Sequence, residues 1–307
     1  MDINVVIDEA DNCTVNPVVA WVSDVSDNGN CPEIITRTYS ITDECGNQTL
    51  VTQLISVGDA IPPTASNPAP INVQCAGDVP APDPLVVTDE ADNSGIAPTV
   101  LFVSDVSDGN TCPEVITRTY SVTDDCGNQI LVTQTITVND ITNPTASNPT
   151  DINVSCPSDV PAPDVNVVTD EADNCGTPTV AFVSDVSDMN TCPETITRTY
   201  SVTDSCGNSI NVTQNIIIDD VTPPTGTAPA DITVQCIGDV PADDVALITD
   251  EADNCTVNPV VAFVSDVSDG LSCPETITRT YSVTDACGNT INVVQLIIIG
   301  DPILPTG

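Results

Sequence analysis

The sequence predicts an all-β protein: four tandem antiparallel β-sandwich modules strung into an extended rod. Three observations predict it. The four basic residues are all arginine (Arg37, Arg118, Arg198, Arg279) and recur 81, 80 and 81 residues apart. A fixed set of segments travels with them: a DEADN loop, an SDVSD segment, Cys-Pro-Glu, an ITRTYS-like run and a TD-x-CGN turn. Within each copy the apolar residues recur every second position, the period of a strand with one buried face and not the 3.6 of a helix. The repeats span residues 1–60, 61–141, 142–221 and 222–302, and 303–307 reads as the start of a further repeat or a joint. Repeat 1 lacks the opening strand of the others.

The elements can be justified in order along repeat 3. Ile152–Cys156, Val165–Thr169 and Thr179–Val186 are short runs rich in β-branched residues and bounded by Pro, Asp and Asn, so each predicts a strand. In the next run Ile196, Arg198, Tyr200 and Val202 share one face, and Thr195, Thr197, Thr199, Ser201 and Thr203 share the other. Cys206-Gly207-Asn208 is a turn signal. The last run places Ile210, Val212, Gln214, Ile216 and Ile218 on one face. Five or more strands in about 80 residues make a small sandwich, and an odd number of up-and-down strands enters at one end and leaves at the other. The register that sets Asp204 against Asn208 also sets Arg198 opposite Gln214, and likewise Arg37 opposite Gln53, Arg118 opposite Gln134 and Arg279 opposite Gln295. A guanidinium on the core face requires a carboxylate nearby. Every aromatic residue is expected in the core.

Composition narrows the chemistry. The chain of 307 residues carries 45 acids against 4 bases, no histidine, 14 cysteines and a formal charge of −41. Without histidine there is no Ser-His or Cys-His dyad and no imidazole base; without lysine there is no Schiff base and no P-loop. An enzyme is therefore not expected. The charge repels nucleic acid and anionic membrane and favours cations. Fourteen cysteines imply an oxidising compartment. No apolar run approaches the ~18–20 residues of a membrane span, and no signal sequence follows Met1. The chain reads as a processed or excised piece of a longer secreted protein.

The alternation of strand direction brings acidic elements together at each joint. For the first joint these are Asp59, Asp89, Glu90, Asp92 and Asp124. For the second they are Asp140, Asp170, Glu171, Asp173 and Asp204. For the third they are Asp219, Asp220, Asp250, Glu251, Asp253 and Asp285. Carboxylates that converge without counter-charge repel unless a hard cation shares them. Calcium suits the site because it takes 6–8 oxygens in flexible geometry, at ~10⁻⁴–10⁻³ M affinity in extracellular modules. The competing reading is that these acids are solvated turn residues that cap backbone groups. SDVSD (Asp105 and Asp108; Asp185 and Asp188) reads equally as additional ligands or as a polar turn.

The order PT-x-x-x-P, INVxC, DVPAP, ADN(C/S)G and YSVTDxCGN, closed by an apolar strand, resembles the hyalin-repeat (HYR-like) module, in its bacterial variant with four cysteines. The resemblance covers essentially all four repeats; repeat 2 departs at Ser94, where Cys175 and Cys255 stand in repeats 3 and 4. It implies immunoglobulin-like sandwiches in tandem and an extracellular structural or adhesive role. The expected protein is a calcium-stiffened, disulfide-bonded stalk or fibre segment of a secreted or cell-surface adhesin or filament. Its partners would be neighbouring repeats or identical subunits in a fibre. The alternative is a ligand- or carbohydrate-binding module array.

Strand direction also yields a cysteine scheme within modules. Residues between Cys192 and Cys206 form one strand, which separates the two sulfurs by about 40 Å at ~3.3 Å per residue. The expected pairs are therefore Cys13–Cys45, Cys75–Cys112, Cys156–Cys192, Cys175–Cys206, Cys236–Cys273 and Cys255–Cys287. Cys31 and Cys126 remain over and face the same joint. They either bridge it or stay as free or intermolecular thiols.

Overall fold

The computed structural model describes residues 2–13 and 16–300; the segment 303–307, expected to open a further repeat, lies outside the described residues. The chain divides into two compact units, Met1–Ile141 and Thr142–Gly307. The first holds repeats 1 and 2, the second repeats 3 and 4.

Repeat 1 contributes β1 (Val18–Ser26), β2 (Glu33–Thr42) and β3 (Gln48–Val57). Repeat 2 contributes β4 (Ile71–Val73), β5 (Thr99–Ser107), β6 (Glu114–Thr123) and β7 (Gln129–Val138). Repeat 3 repeats this with β8 (Ile152–Val154), β9 (Thr179–Ser187), β10 (Glu194–Thr203) and β11 (Ser209–Ile218). Repeat 4 follows with β12 (Ile232–Val234), β13 (Val260–Ser268), β14 (Glu275–Thr284) and β15 (Thr290–Ile299). Each later repeat builds one four-stranded sheet, ordered β4-β7-β6-β5, β8-β11-β10-β9 and β12-β15-β14-β13, whereas repeat 1 has the three-stranded β1-β2-β3. The opening strand runs parallel to the closing one, as in Ile152↔Ile216 and Val154↔Ile218. The other pairings are antiparallel.

The second layer of the expected sandwich is not a ladder. It consists of irregular backbone held by single bridges, Thr64↔Ala91, Thr145↔Ala172 and Thr225↔Ala252. The strand expected at Val165–Thr169 is a single 3-10 turn, Val165–Val167, capped by the Asp164 carboxylate on Asn166 N. Aspartate and proline explain the difference: an Asx cap closes the backbone locally before it can pair along a strand.

The hairpins obey the period-two pattern. In β7 the buried residues are Val132, Gln134, Ile136 and Val138, every second position. Arg118↔Gln134, Arg198↔Gln214, Arg279↔Gln295 and Arg37↔Gln53 stand directly opposite, as the register required. Tyr120, Val122, Val132 and Val87 form the core of repeat 2, and Tyr200, Val202, Val212 and Val168 form that of repeat 3.

The arginines find their carboxylate in SDVSD, which excludes the first aspartate of that segment as a spare cation ligand. Arg118 Nε and Nη2 donate to Asp105 at 2.8 and 2.9 Å, and Arg198 donates to Asp185 at 2.8 Å through both nitrogens. Arg279–Asp266 and Arg37–Asp24 repeat the bidentate pair. A one-residue bulge makes this possible. Phe102 lies opposite Tyr120, and the register then shifts so that Asp105 and not Ser104 faces Arg118. The second aspartate, Asp108, is a turn clamp that accepts from Asn110 N and Val115 N; Asp188 does the same with Asn190 N and Thr195 N.

The aromatic expectation needs correction. The four tyrosines are fully buried, but Trp21, Phe102, Phe182 and Phe263 are 39–43% exposed. The phenylalanines stand on edge strands and meet their tyrosine edge-on, with ring centroids 6.3–6.4 Å apart. An edge strand opposite a layer of loops has no second sheet to cover it, so these rings stay half in solvent.

Candidate cation sites and cystine joints

Within each unit the acidic loops of one repeat meet the linker of the repeat before it. The TD-x-CGN turn supplies the frame. In repeat 2 the Asp124 Oδ1 accepts from Cys126 N and Asn128 N, and its Oδ2 accepts from Asn128 Nδ2. Gly127 takes φ +88°, a left-handed conformation that glycine adopts without a Cβ clash. Asn128 Nδ2 also donates to the carbonyl of Asp59 in the preceding linker, at 3.2 Å. Repeat 4 is built alike: Asp285 holds Asn289, and Asn289 Nδ2 donates to Asp220 O at 2.7 Å. The asparagine of CGN thus ties two repeats together, a role that its position in a turn signal concealed.

The sequence-predicted acids then divide by what they already bind. Asp124, Asp204 and Asp285 organise their turns. Asp89, Asp170 and Asp250 accept from the amides of Ser66, Ser147 and Thr227, 23 residues earlier, and staple the loop to its own module. The hydroxyls of Ser66, Ser147 and Thr227, and then their amides, hold all three below the usual carboxylate range. Asp219 is exposed. Asp140 is buried at the end of the first unit; Asp170, Glu171, Asp173 and Asp204 belong to the second.

What remains is the same trio at both joints. In the first unit these are Asp59 Oδ2, Glu90 Oε2 and Asp92 Oδ1; in the second, Asp220 Oδ2, Glu251 Oε2 and Asp253 Oδ1. Each is a buried carboxylate oxygen without a hydrogen-bond partner. Oxygens of Asp59, Asp92 and Asp124 lie within 4.8 Å of one another, and Asp220 and Asp253 approach equally closely. Asp220 is only 4% exposed. Its Oδ1 is engaged by Thr222 N and Asn254 Nδ2, which leaves Oδ2 as the oxygen without a donor. Ser94, through its hydroxyl and amide, holds Asp92 below the ordinary carboxylate value. Burial pushes Asp253 up, but the amides of Thr256, Cys255 and Asn254 outweigh it and leave its pKa lowered. Both are anions at neutral pH. Buried anionic oxygens that lack a donor are costly unless a cation completes them, and all-oxygen donor sets of this kind suit hard ions. Cys255 lies beside Asp220 and Asp253, but its sulfur is in a disulfide and carries no thiolate.

The cysteines contradict the scheme within modules. Cys156 of repeat 3 bonds Cys255 of repeat 4, and Cys192 bonds Cys287, with Cα–Cα distances of 5.1 and 5.4 Å. Cys31 bonds Cys126 across the joint of repeats 1 and 2, at 5.1 Å. Cys75, Cys112, Cys175 and Cys206 are also disulfide-bonded. Cys13, Cys45, Cys236 and Cys273, expected as the pairs Cys13–Cys45 and Cys236–Cys273, are free and exposed. Sheet order gives the reason. Cys156 follows β8 and Cys192 precedes β10, and β11 lies between these strands. Two strand spacings are about 9.6 Å, beyond the ~7 Å Cα limit of a disulfide. Both cysteines lie at the same end of their module, as strand direction required, but they turn outward to the next repeat. An open cleft of about 270 Å³ beside Cys31–Cys126 is lined by Asp59, Ser94 and Asp125 among others. Ser94 replaces the cysteine found at Cys255, and this joint accordingly shows one bridge where that of repeats 3 and 4 has two.

The sequence profile of the HYR-like domain with 4 cysteines matches residues 63–138, 144–218 and 224–299, most of the chain. No curated protein matches it. Among solved structures, the protocadherin gammaB7 EC3-6 cis-dimer is 10% identical with a TM-score of 0.29, covering 92% of this chain and 93% of that one. Drosophila N-cadherin EC1-4 is 11% identical with a TM-score of 0.25, covering 95% and 94%. Likeness at this level carries no statement about activity.

Proposed function

The chain belongs to the HYR-like domains with four cysteines, and from that premise we propose that it is a non-enzymatic, extracellular structural repeat protein. It would act as a stalk or fibre segment of a surface adhesin or filament, with calcium held at the joints. The observation that carries this reading is the recurrence, at the joint inside each unit, of three buried carboxylate oxygens with no donor. Each set draws one acid from the linker and two from the loop of the following repeat, so a bound divalent ion would tie two modules. Disulfides across the same joints add a covalent tie. The mechanism is mechanical: modules set the length, and joints set the angle between neighbours.

Small-angle scattering tests the reading. A ten-residue strand spans about 33 Å, so four modules end to end give a particle of about 130 Å. With calcium and intact disulfides the maximum dimension should reach that value. It should fall when chelator and reductant are applied together. A compact particle under the first condition would refute the stalk.

A second reading, a carbohydrate- or ligand-binding array, draws support from one observation. The half-exposed Phe102 lies in a strand with exposed Leu101, Val103 and Val106, apolar side chains of the kind that ligands cover. Glycan arrays and Trp21 fluorescence titrations distinguish it: saturable binding that is lost on Phe102→Ala and Phe182→Ala would favour the array over the stalk.

A further inference from the structure

The joint of repeats 3 and 4 carries a sulfur among its acids. Cys255 Sγ, a carboxylate oxygen of Asp220 and one of Asp253 lie within 4.8 Å of one another. Asp220 is 4% exposed, and both its Oδ2 and Asp253 Oδ1 are buried without a donor. Direct hydrogen bonds hold the three residues in place. Asp253 Oδ2 accepts from Cys255 N at 2.9 Å and from Thr256 N at 2.7 Å. Asn254 Nδ2 donates to Asp220 Oδ1 at 3.3 Å and stands 2.9 Å from Cys255 Sγ. At the joint of repeats 1 and 2, Ser94 N makes the matching bond to Asp92 Oδ2 at 2.8 Å, and the cluster of Asp59, Asp92 and Asp124 is all oxygen.

While Cys255 is bonded to Cys156, its sulfur carries no charge and the cluster offers oxygen alone. Reduction changes the donor set. Cys255 is half-buried and Cys156 is buried, so a dithiol reductant meets Cys255 first. Its thiolate attacks Cys255 Sγ to form a mixed disulfide, and the Cys156 thiolate leaves. The second thiolate of the reductant then attacks its own bonded sulfur and releases the Cys255 thiolate. The cystine gains two electrons, and the dithiol loses them to become a cyclic disulfide. Two carboxylates and a thiolate now converge. Sulfur is a soft donor, so this set favours zinc where the all-oxygen set favours calcium. Zinc binds sulfur at about 2.3 Å and carboxylate oxygen at about 2.0–2.2 Å, which puts tetrahedral neighbours roughly 3.3–3.8 Å apart. Side-chain movements of about an ångström therefore close the shell. Asn254 Nδ2 stands ready to donate to the thiolate and orient it.

We propose that this joint is a redox-selected metal site. It holds a hard ion when Cys156–Cys255 is closed, and zinc on Cys255, Asp220 and Asp253 when that bond is open. The closed half rests on the calcium reading above; the open half stands without it.

The test isolates the sulfur. In the full chain with the free Cys13, Cys45, Cys236 and Cys273 replaced by serine, Cys156→Ala leaves Cys255 as a thiol and the other cystines closed, which peptide mapping verifies. Cobalt(II), an optical substitute for zinc, should then give a sulfur-to-metal charge-transfer band that saturates at one ion per chain and disappears when zinc is added. The same background with Cys156 retained should show no band. Adding Asp220→Asn to Cys156→Ala should weaken cobalt binding by about tenfold or more, with the circular dichroism unchanged. Ser94→Cys in the four-serine background, with Cys156–Cys255 closed, supplies a second arm that spares the cystines: a thiol beside Asp92 should create the band at the first joint. The proposal is overturned if a folded Cys156→Ala chain shows no band, if Asp220→Asn leaves the band and its affinity as they were, or if Ser94→Cys gains none. An oxidised chain that binds no calcium, beside a Cys156→Ala chain that shows the band, would overturn the closed half and the calcium reading while the zinc site stands.

Discussion

Asp220→Asn separates a cation site from a solvated acidic turn by the sign of its effect. Asp220 is buried, and an oxygen of its carboxylate lies within 4.8 Å of one from Asp253. Two unit charges at that distance repel by about 3.5 kcal/mol at an effective dielectric of 20, and solvent at the half-buried Asp253 reduces this to about 1–2 kcal/mol. The substitution keeps Oδ1, which serves Thr222 and Asn254, and replaces the orphaned Oδ2 by an amide donor. In chelator the variant should therefore be more stable than the parent. With calcium the parent gains on the variant, and overtakes it where the binding term exceeds the relieved repulsion. At 10 mM calcium and a dissociation constant of ~10⁻⁴–10⁻³ M, one site adds about 1.4–2.7 kcal/mol. For two coupled modules that is a rise of about 3–11 °C in Tm, at roughly 2–4 °C per kcal/mol. Scanning calorimetry of the oxidised chain, parent and variant, with 10 mM calcium and with chelator, reads the sign in chelator and the calcium increment of each protein. Asp59→Asn should reproduce the pattern at the first joint. A variant that is destabilised in chelator, or that keeps the full calcium increment, would refute the reasoning.

Other predictions concern the modules themselves. Arg198→Met leaves Asp185 without its bidentate partner, and since Asp185 is 32% exposed the loss should be about 1–3 kcal/mol by denaturant titration, below the 3–5 of a fully buried pair; adding Asp185→Leu should recover much of it. Tyr120 Oη accepts from Asp83 N whereas Tyr200 Oη is buried without a partner, so Tyr120→Phe should cost about 1 kcal/mol and Tyr200→Phe almost nothing. Acid should unfold the chain in a defined direction. Asp89, Asp170 and Asp250 have lowered pKa values in the fold, and the Arg37 guanidinium holds Asp24 at about 2. The unfolded chain therefore binds more protons below about pH 4. Stability is fully present above the unfolded value near 3.8 and is lost as pH falls through the lowered ones; circular dichroism from pH 5 to 1.5 checks it.

The repeat, the hairpins and the arginine–glutamine register were legible because a strict period of two fixes which residues face the core and which stand opposite. Legibility failed where the backbone departs from that period. The bulge beside Phe102 moves Asp105 opposite Arg118, so the arginine's partner could not be placed, and SDVSD kept the appearance of a ligand. Strand direction correctly put Cys156 and Cys192 at one end, but direction does not give strand order, and order decides which sulfurs can meet. The candidate acids were found as a group because they recur at each joint. Their division into turn organisers such as Asp124, staples such as Asp89 and orphans such as Glu90 depends on individual amide contacts, and a sequence does not display those. The half-exposed Phe102 and Phe182 were missed because an apolar side chain reads as core whether or not a second sheet covers it.

Calorimetric titration of the oxidised chain with calcium measures the central claim most directly. The account predicts saturable binding in the ~10⁻⁴–10⁻³ M range, with one site lost in Asp59→Asn, one lost in Asp220→Asn and both lost in the double variant. Absence of binding up to 10 mM calcium, or the same number of sites in all four proteins, would contradict it.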